Sequence, residues 1–223
     1  MTAFLLLRHG ETLWNRAGRL QGWQDSALSA RGLAQADALA VRLAGERVDV
    51  LVSSDLGRAR ATAASIAARL ELPLALEPGL RERCYGALEG MTWGEVERAY
   101  PEAYGRLAAR DPDYLIPGGQ SAAEFRDRVV GTLERLALAY GEAVVAAVTH
   151  GGVLGIVYRH ANGIPLARPR TFGVPNAGLN RVRIEGQRWA VDGWGEVDHL
   201  PRAAHDHDWV AGRLTTSRRP DDT

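Results

Sequence analysis

The sequence predicts an α/β three-layer sandwich: a mostly parallel central sheet with helices on both faces and a helical lid insertion. Three observations lead there. Phe4-Leu5-Leu6-Leu7 and Ala143 to Val148 are unbroken apolar runs, too short for free-standing helices and of the length of strands buried on both faces. Such runs alternate with segments whose apolar residues recur at three and four, the pattern of helices that return the chain between parallel strands. From Glu82 to Pro117 the alternation stops, which marks an insertion over the strand ends.

Taken in order, the first strand is followed by a polar, Gly-rich and aperiodic stretch from Trp14 to Ser29, read as a loop. Ser29 caps a helix whose apolar positions are Leu33, Ala36, Leu39, Ala40 and Leu43, ending at Gly45. Val48 to Ser53 is a short strand. A second helix starts near Gly57, carries Ala59, Ala63, Ile66 and Leu70 on one face and is stopped by Pro73. Leu74 to Leu76 forms another short strand. Thr92 with Glu95, and Ser121 with Glu124, fit capping boxes, so helices start at about 92 and 121. The second of these carries the stripe Phe125, Val129, Leu133, Leu136 and Tyr140. After the strand at 143 to 148 comes a helix from Val153 to Asn162, then a hairpin of Ala177 to Glu185 and Arg188 to Gly193 turning at Gly186. Periodicity ends beyond Leu200. Residues 1–200 are thus expected to form a single domain with a lid insertion at about 83–120, and 201–223 an extension with a disordered end from Thr215 to Thr223.

The chain has 27 basic and 27 acidic residues among 223, so no global field draws it to nucleic acid or to a membrane, and any affinity for anions must be local. One cysteine, Cys84, excludes an internal disulfide and fits a reducing cytosol. No signal peptide or membrane span is expected, which makes the expected location cytoplasmic.

The first strand ends abruptly in Arg8-His9-Gly10-Glu11. A cation, an imidazole and a flexible backbone point where a buried strand leaves the sheet are the chemistry of an anion pocket with a nucleophile in it. Alone, an Arg-His pair at a strand end reads as ordinary surface. Arg58, Glu82 and His150, however, each follow or lie near another predicted strand end, so all can meet His9 in one crevice.

Six segments, in order, extend this reading: L-L-L-R-H-G-E-T-L-W-N at 5 to 15, L-Q-G-W-Q-D-S-A-L-S-A-R-G at 20 to 32, V-S-S-D-L-G-R-A-R-A-T-A at 52 to 63, L-R-E-R-C-Y-G-A-L-E-G at 80 to 90, P-G-G-Q-S at 117 to 121 and V-T-H-G-G at 148 to 152. Together they resemble the histidine phosphatase superfamily, the group that also contains the cofactor-dependent phosphoglycerate mutases. The resemblance implies that His9 is the nucleophile, attacking phosphorus to form a phosphohistidine, and that its attacking nitrogen must be unprotonated. Arg8, Arg58 and a protonated His150 are expected to keep it so by like-charge repulsion. Arg8 and Arg58 would clamp the phosphate oxygens, against the alternative of surface salt bridges. His150 would donate to a non-bridging oxygen, with room for a ligand at Gly151-Gly152, against the alternative of a satisfied core histidine. Asn15 would add a neutral donor, as the matching asparagine does in the family, or serve as a helix or turn cap. Glu82 would be the general acid and base, preferred over Glu11, Glu89 and Glu95 by its match to the family's acid position.

The same pocket serves a phosphatase or a mutase. Mutases of the family carry a longer insertion with a lysine-tyrosine-glycine element, paired arginines and a proline run, whereas this chain has no lysine and no adjacent arginines between Gly90 and Pro117. The short insertion resembles the broad-specificity phosphatase branch, although Gln120 stands where that branch commonly carries glutamate. A phosphatase for small-molecule phosphomonoesters is therefore expected. The alternatives are a cofactor-dependent phosphoglycerate mutase and, ranked lower, a non-catalytic binder of phosphorylated ligands. No cofactor and no metal are called for; His205 and His207, with Asp206 and Asp208, read as a solvated segment. Trp23, Arg83, Tyr85, Trp93 and Tyr100 are candidates for the leaving-group side or simply packing. The family also makes a homodimer possible.

Overall fold

The protein is described by a computed structural model, in which residues 1–201 are described. Strand β1 (Thr2–Arg8) pairs in parallel with β4 (Val144–Thr149), β4 with β2 (Val50–Ser53), and β2 with β3 (Leu74–Leu76). Strands β5 (Leu179–Glu185) and β6 (Arg188–Glu196) complete the sheet antiparallel beside β1, giving the order β3-β2-β4-β1-β5-β6.

The all-apolar strands follow from burial on both faces. Phe4 and Leu6 of β1 and Val145 and Ala147 of β4 meet α6 (Ala122–Tyr140) and α7 (Gly151–Ala161), through Phe125, Val129, Leu133, Leu154 and Val157. Their neighbours Leu5, Leu7, Ala146 and Val148 point the other way, onto Leu39 and Leu43 of α2 (Ala30–Leu43) and Ala59 and Ile66 of α3 (Gly57–Leu70). With a period of two, one strand feeds two cores, which is why the middle of each strand, Phe4 to Leu7 and Val145 to Val148, is uninterruptedly apolar. The three-layer α/β fold is the predicted one.

A third apolar cluster, Leu88, Val96, Ala103 and Ile116, sits in the insertion, where α4 (Trp93–Ala99) starts on the Thr92/Glu95 capping box. Differences from the sequence reading are local. A four-residue helix α1 (Leu13–Arg16), capped by Thr12, interrupts the predicted loop. A helix α5 (Pro101–Ala108) follows α4 directly, because Pro101 occupies its first turn, where a missing N–H costs nothing. Helix α7 begins at Gly151, two residues early. His205, His207 and the expected disordered end lie outside the described residues. Among the described residues no helix is long and apolar enough to cross a membrane, and no group of three or more His, Cys, Asp or Glu side chains is placed to hold a metal.

Candidate active site

The parallel strands deliver their carboxyl ends to one edge of the sheet, where open α/β folds place their ligands. Register between β1 and β4 sets Arg8 against Thr149, and the His9 N–H donates to the Thr149 carbonyl at 3.0 Å. The next residues, His9 and His150, therefore lie side by side with ring centroids 5.2 Å apart.

His9 is buried, and its Nδ1 lies 2.7 Å from the Gly10 carbonyl oxygen. A carbonyl only accepts, so Nδ1 carries the ring proton and the lone pair falls on Nε2. Burial, then the Arg58 and Arg8 guanidinium groups, holds His9 well below the ordinary histidine range. Burial first, then Arg58, His9 and Arg8, does the same to His150. Desolvation, then the charges of Arg58 and Arg8, and not a protonated His150, thus keep the His9 ring neutral, which corrects the His150 part of the sequence expectation.

A pH dependence follows. The value of kcat/KM should hold as pH falls through about 6.5, the ordinary histidine value, and decline only at lower pH; half-loss near 6.5 in a pH-rate profile would contradict it. The unfolded chain takes up protons at the ordinary value while folded His9 and His150 do not. Their contribution to stability is therefore present above about 6.5 and is lost as pH falls toward the lower folded values.

Arg58, in the first turn of α3, is 2% exposed. Its Nη1 donates to the Gln24 carbonyl at 2.8 Å and the Asp25 carboxylate at 2.9 Å, and its Nη2 to the Gly22 carbonyl at 2.8 Å. Nε is buried without a partner among the described residues, as a donor reserved for a ligand oxygen would be. Arg8 donates through Nη1 to the Val174 carbonyl at 2.5 Å and lines the same cavity. Asn15 is the cap partner of Thr12: its Oδ1 accepts from the Thr12 N–H and hydroxyl, both at 3.1 Å. That bond occupies the acceptor end and leaves the amide Nδ2 as the group able to donate, so the cap and ligand readings are compatible.

Glu82 accepts the Arg83 N–H through Oε1 and the Gly152 N–H through Oε2, both at 2.8 Å. A Cβ at Gly152 would lie 1.9 Å from Glu82 Oε1, and one at Gly151 would lie 3.3 Å from Arg8 Nε. The glycine pair after His150 accordingly makes room for Glu82 and Arg8, and both glycines line the cavity as well. Gly152→Ala should push the carboxylate aside and lower kcat roughly 10²-fold with the fold retained; unchanged steady-state kinetics would contradict this. The competing carboxylates are committed elsewhere. Glu89 accepts the N–H groups of Trp23, Gln24 and Tyr85. Glu95 holds its capping box and pairs with Arg19, and Glu11 accepts from the Ser29 hydroxyl and faces Arg31.

Arg8, His9, Asn15, Arg58 and Glu82 line one cavity of about 300 Å³, with Trp14, Arg19, Gln21, Tyr85, Trp93 and Arg170 around the rest. His150 is fully buried beside them. Of the aromatic candidates, Tyr85 and Trp93 face the cavity. Trp23 instead braces Glu82: its Nε1–H donates to the Glu82 carbonyl at 2.9 Å and the Arg81 guanidinium lies over its ring. Tyr100 lies at the junction of α4 and α5, away from the cavity lining. Arg83 is tied to the Gln120 carbonyl. Gln120 Oε1 accepts from the Cys84 N–H and from Arg128, which also binds the carbonyls of Gly79, Arg81 and Glu82. The amide thus ties down the loop that carries Glu82. Three contributors had no assigned role in the sequence reading: Ser54, Arg128 and Asn176, whose Nδ2 donates to the His9 carbonyl at 2.9 Å. Ser54 lay inside a quoted motif; Asn176 sits in an irregular segment with no periodic signal.

The family model described as histidine phosphatase superfamily (branch 1) matches residues 4–197. The chain belongs to this superfamily. Within the histidine phosphatases, a metal-independent phosphoserine phosphatase of Arabidopsis thaliana is 41% identical over 204 residues, 90% of this chain and 84% of the relative. Phosphoglycerate mutase-like protein 4 of the same plant is 36% identical over 200 residues, 88% and 86% of the two chains. The solved histidine phosphatase fold of Entamoeba histolytica phosphoserine phosphatase, in complex with 3-phosphoglyceric acid, matches with a TM-score of 0.80 at 27% identity, covering 90% of this chain and 100% of that one.

Proposed function

We propose that the protein is a metal-independent phosphatase of small-molecule phosphomonoesters, a single histidine phosphatase domain over residues 1–200 with a lid at about 83–120, acting through a phosphohistidine at His9. The observation that carries this reading is the 2.7 Å bond from His9 Nδ1 to the Gly10 carbonyl, which leaves the Nε2 lone pair as the attacking group. In the first step Nε2 bonds to phosphorus, the bond from phosphorus to the ester oxygen breaks, and Glu82 gives its proton to the departing alkoxide. In the second, Glu82 takes a proton from water, whose oxygen attacks phosphorus and releases phosphate and neutral His9. Arg8, Arg58, Asn15 and His150 stabilise the charge on the non-bridging oxygens throughout.

Hydrolysis is favoured over transfer between two hydroxyls by the short insertion without lysine or paired arginines, and by the phosphatase name of the 41% identical relative. A cavity of about 300 Å³ suits a small ester. The mutase reading is kept because a mutase-like relative is 36% identical. The test is phosphate release in the presence of EDTA from p-nitrophenyl phosphate, phosphoserine and 3-phosphoglycerate, with and without 2,3-bisphosphoglycerate. Release from at least one ester is the expected result. Formation of 2-phosphoglycerate that depends on bisphosphoglycerate would favour the mutase, and inactivity on every ester would favour a binding protein.

A further inference from the structure

His150 ends the β4 crossover as the residue before α7, and its ring is fully buried. Its Nε2 lies 2.8 Å from the Ser54 hydroxyl. Ser54 is fully buried as well and is pinned by the sheet, since its N–H donates to the Val148 carbonyl at 2.9 Å just beyond the β2–β4 register pair Ser53 and Val148. The contact between the two side chains is therefore set by strand pairing and not by a loose loop.

The hydroxyl has one proton, and its oxygen already accepts the Leu56 N–H at 3.4 Å. If His150 donated from Nε2, the hydroxyl proton would need another acceptor, and His150 is the one it has among the described residues. If the hydroxyl donates to Nε2, the hydroxyl and Nε2 are both satisfied and the ring proton must sit on Nδ1. The Nδ1 atom is the one buried without a partner among the described residues. A histidine held this way turns an N–H outward from its serine contact, and an N–H attracts a phosphoryl oxygen whereas a lone pair repels it.

We infer that Ser54 is a positioning residue that locks His150 in the Nδ1–H tautomer, so that the ring offers a donor to the phosphoryl group transferred at His9. The catalytic part of this inference rests on the phosphatase reading; the tautomer itself does not. The mechanism asks His150 to donate while uncharged, and a neutral imidazole has only one proton to give. Without Ser54, that proton distributes between two nitrogens and part of the population presents a lone pair.

The test is long-range ¹H–¹⁵N NMR on histidine-labelled protein, with the His150 signals assigned by their loss in His150→Asn. Wild type should show a pyrrole-type Nδ1 and a pyridine-type Nε2. Ser54→Ala should show exchange-averaged or inverted shifts and lose about 10- to 100-fold in kcat, with thermal unfolding monitored in parallel, while Ser54→Thr, which keeps the hydroxyl, should restore the wild-type shifts. A pyrrole-type Nε2 in wild type, or an unchanged tautomer in folded Ser54→Ala, would overturn the inference. A wild type that releases no phosphate yet keeps Nδ1–H would sink the phosphatase reading while supporting the lock.

Discussion

Replacing His9 by alanine should lower kcat by about 10⁴-fold or more, because it removes the imidazole that accepts the phosphoryl group. His150, the other imidazole, has its Nε2 within 2.8 Å of the Ser54 hydroxyl, and in the tautomer inferred above its proton occupies the remaining nitrogen. Arg58 keeps its ties to Gly22, Gln24 and Asp25 in this variant, so inorganic phosphate should still bind. Circular dichroism would confirm the fold, and isothermal titration with phosphate would separate lost chemistry from lost binding. Substantial turnover in His9→Ala would mean that water attacks the ester directly.

Glu82→Gln should lower kcat about 10²- to 10⁴-fold for alkyl phosphates and far less for the first step with p-nitrophenyl phosphate, whose leaving group departs without a proton. The amide oxygen can accept from only one of the two N–H groups, Arg83 and Gly152, that the carboxylate now satisfies, so a modest rise in KM is expected too. Water activation is also lost. With p-nitrophenyl phosphate the variant should therefore release about one nitrophenolate per site in a burst and then slow, as covalent mechanisms do when the second step fails. Equal losses on alkyl and aryl esters, with no burst, would make Glu82 a positioning group instead of the acid.

Much of this was legible in the chain because the signals were strong and local. The two-faced burial of β1 and β4 shows as uninterrupted apolar residues, and Ser121/Glu124 and Thr92/Glu95 set helix starts through bonds that span only three residues. Helix α1 was hidden because one turn has no periodicity to detect, and α5 because Pro101 reads as a break when it is in fact a first-turn residue. Of the site, Arg8, His9 and His150 were readable because they stand at strand ends, and Asn15, Arg58 and Glu82 through the motifs they share with the family. What remained out of reach depends on which strands are neighbours. Ser54 matters because β2 lies beside β4, Gly152 because Glu82 arrives over it from a distant loop, and Asn176 because the chain returns past His9 before β5. Sheet order brings these contacts about, and no spacing along the chain encodes them.

The central claim is the covalent intermediate, and the most direct measurement is rapid-quench mass spectrometry of Glu82→Gln and wild type mixed with p-nitrophenyl phosphate. The quench must be alkaline, because phosphohistidine is lost in acid. The account predicts one phosphoryl group on the peptide containing His9, bonded to Nε2 and accumulating in the variant. A phosphoryl group on any other residue, or product release at single turnover with no phosphorylated enzyme at any time point, would contradict it.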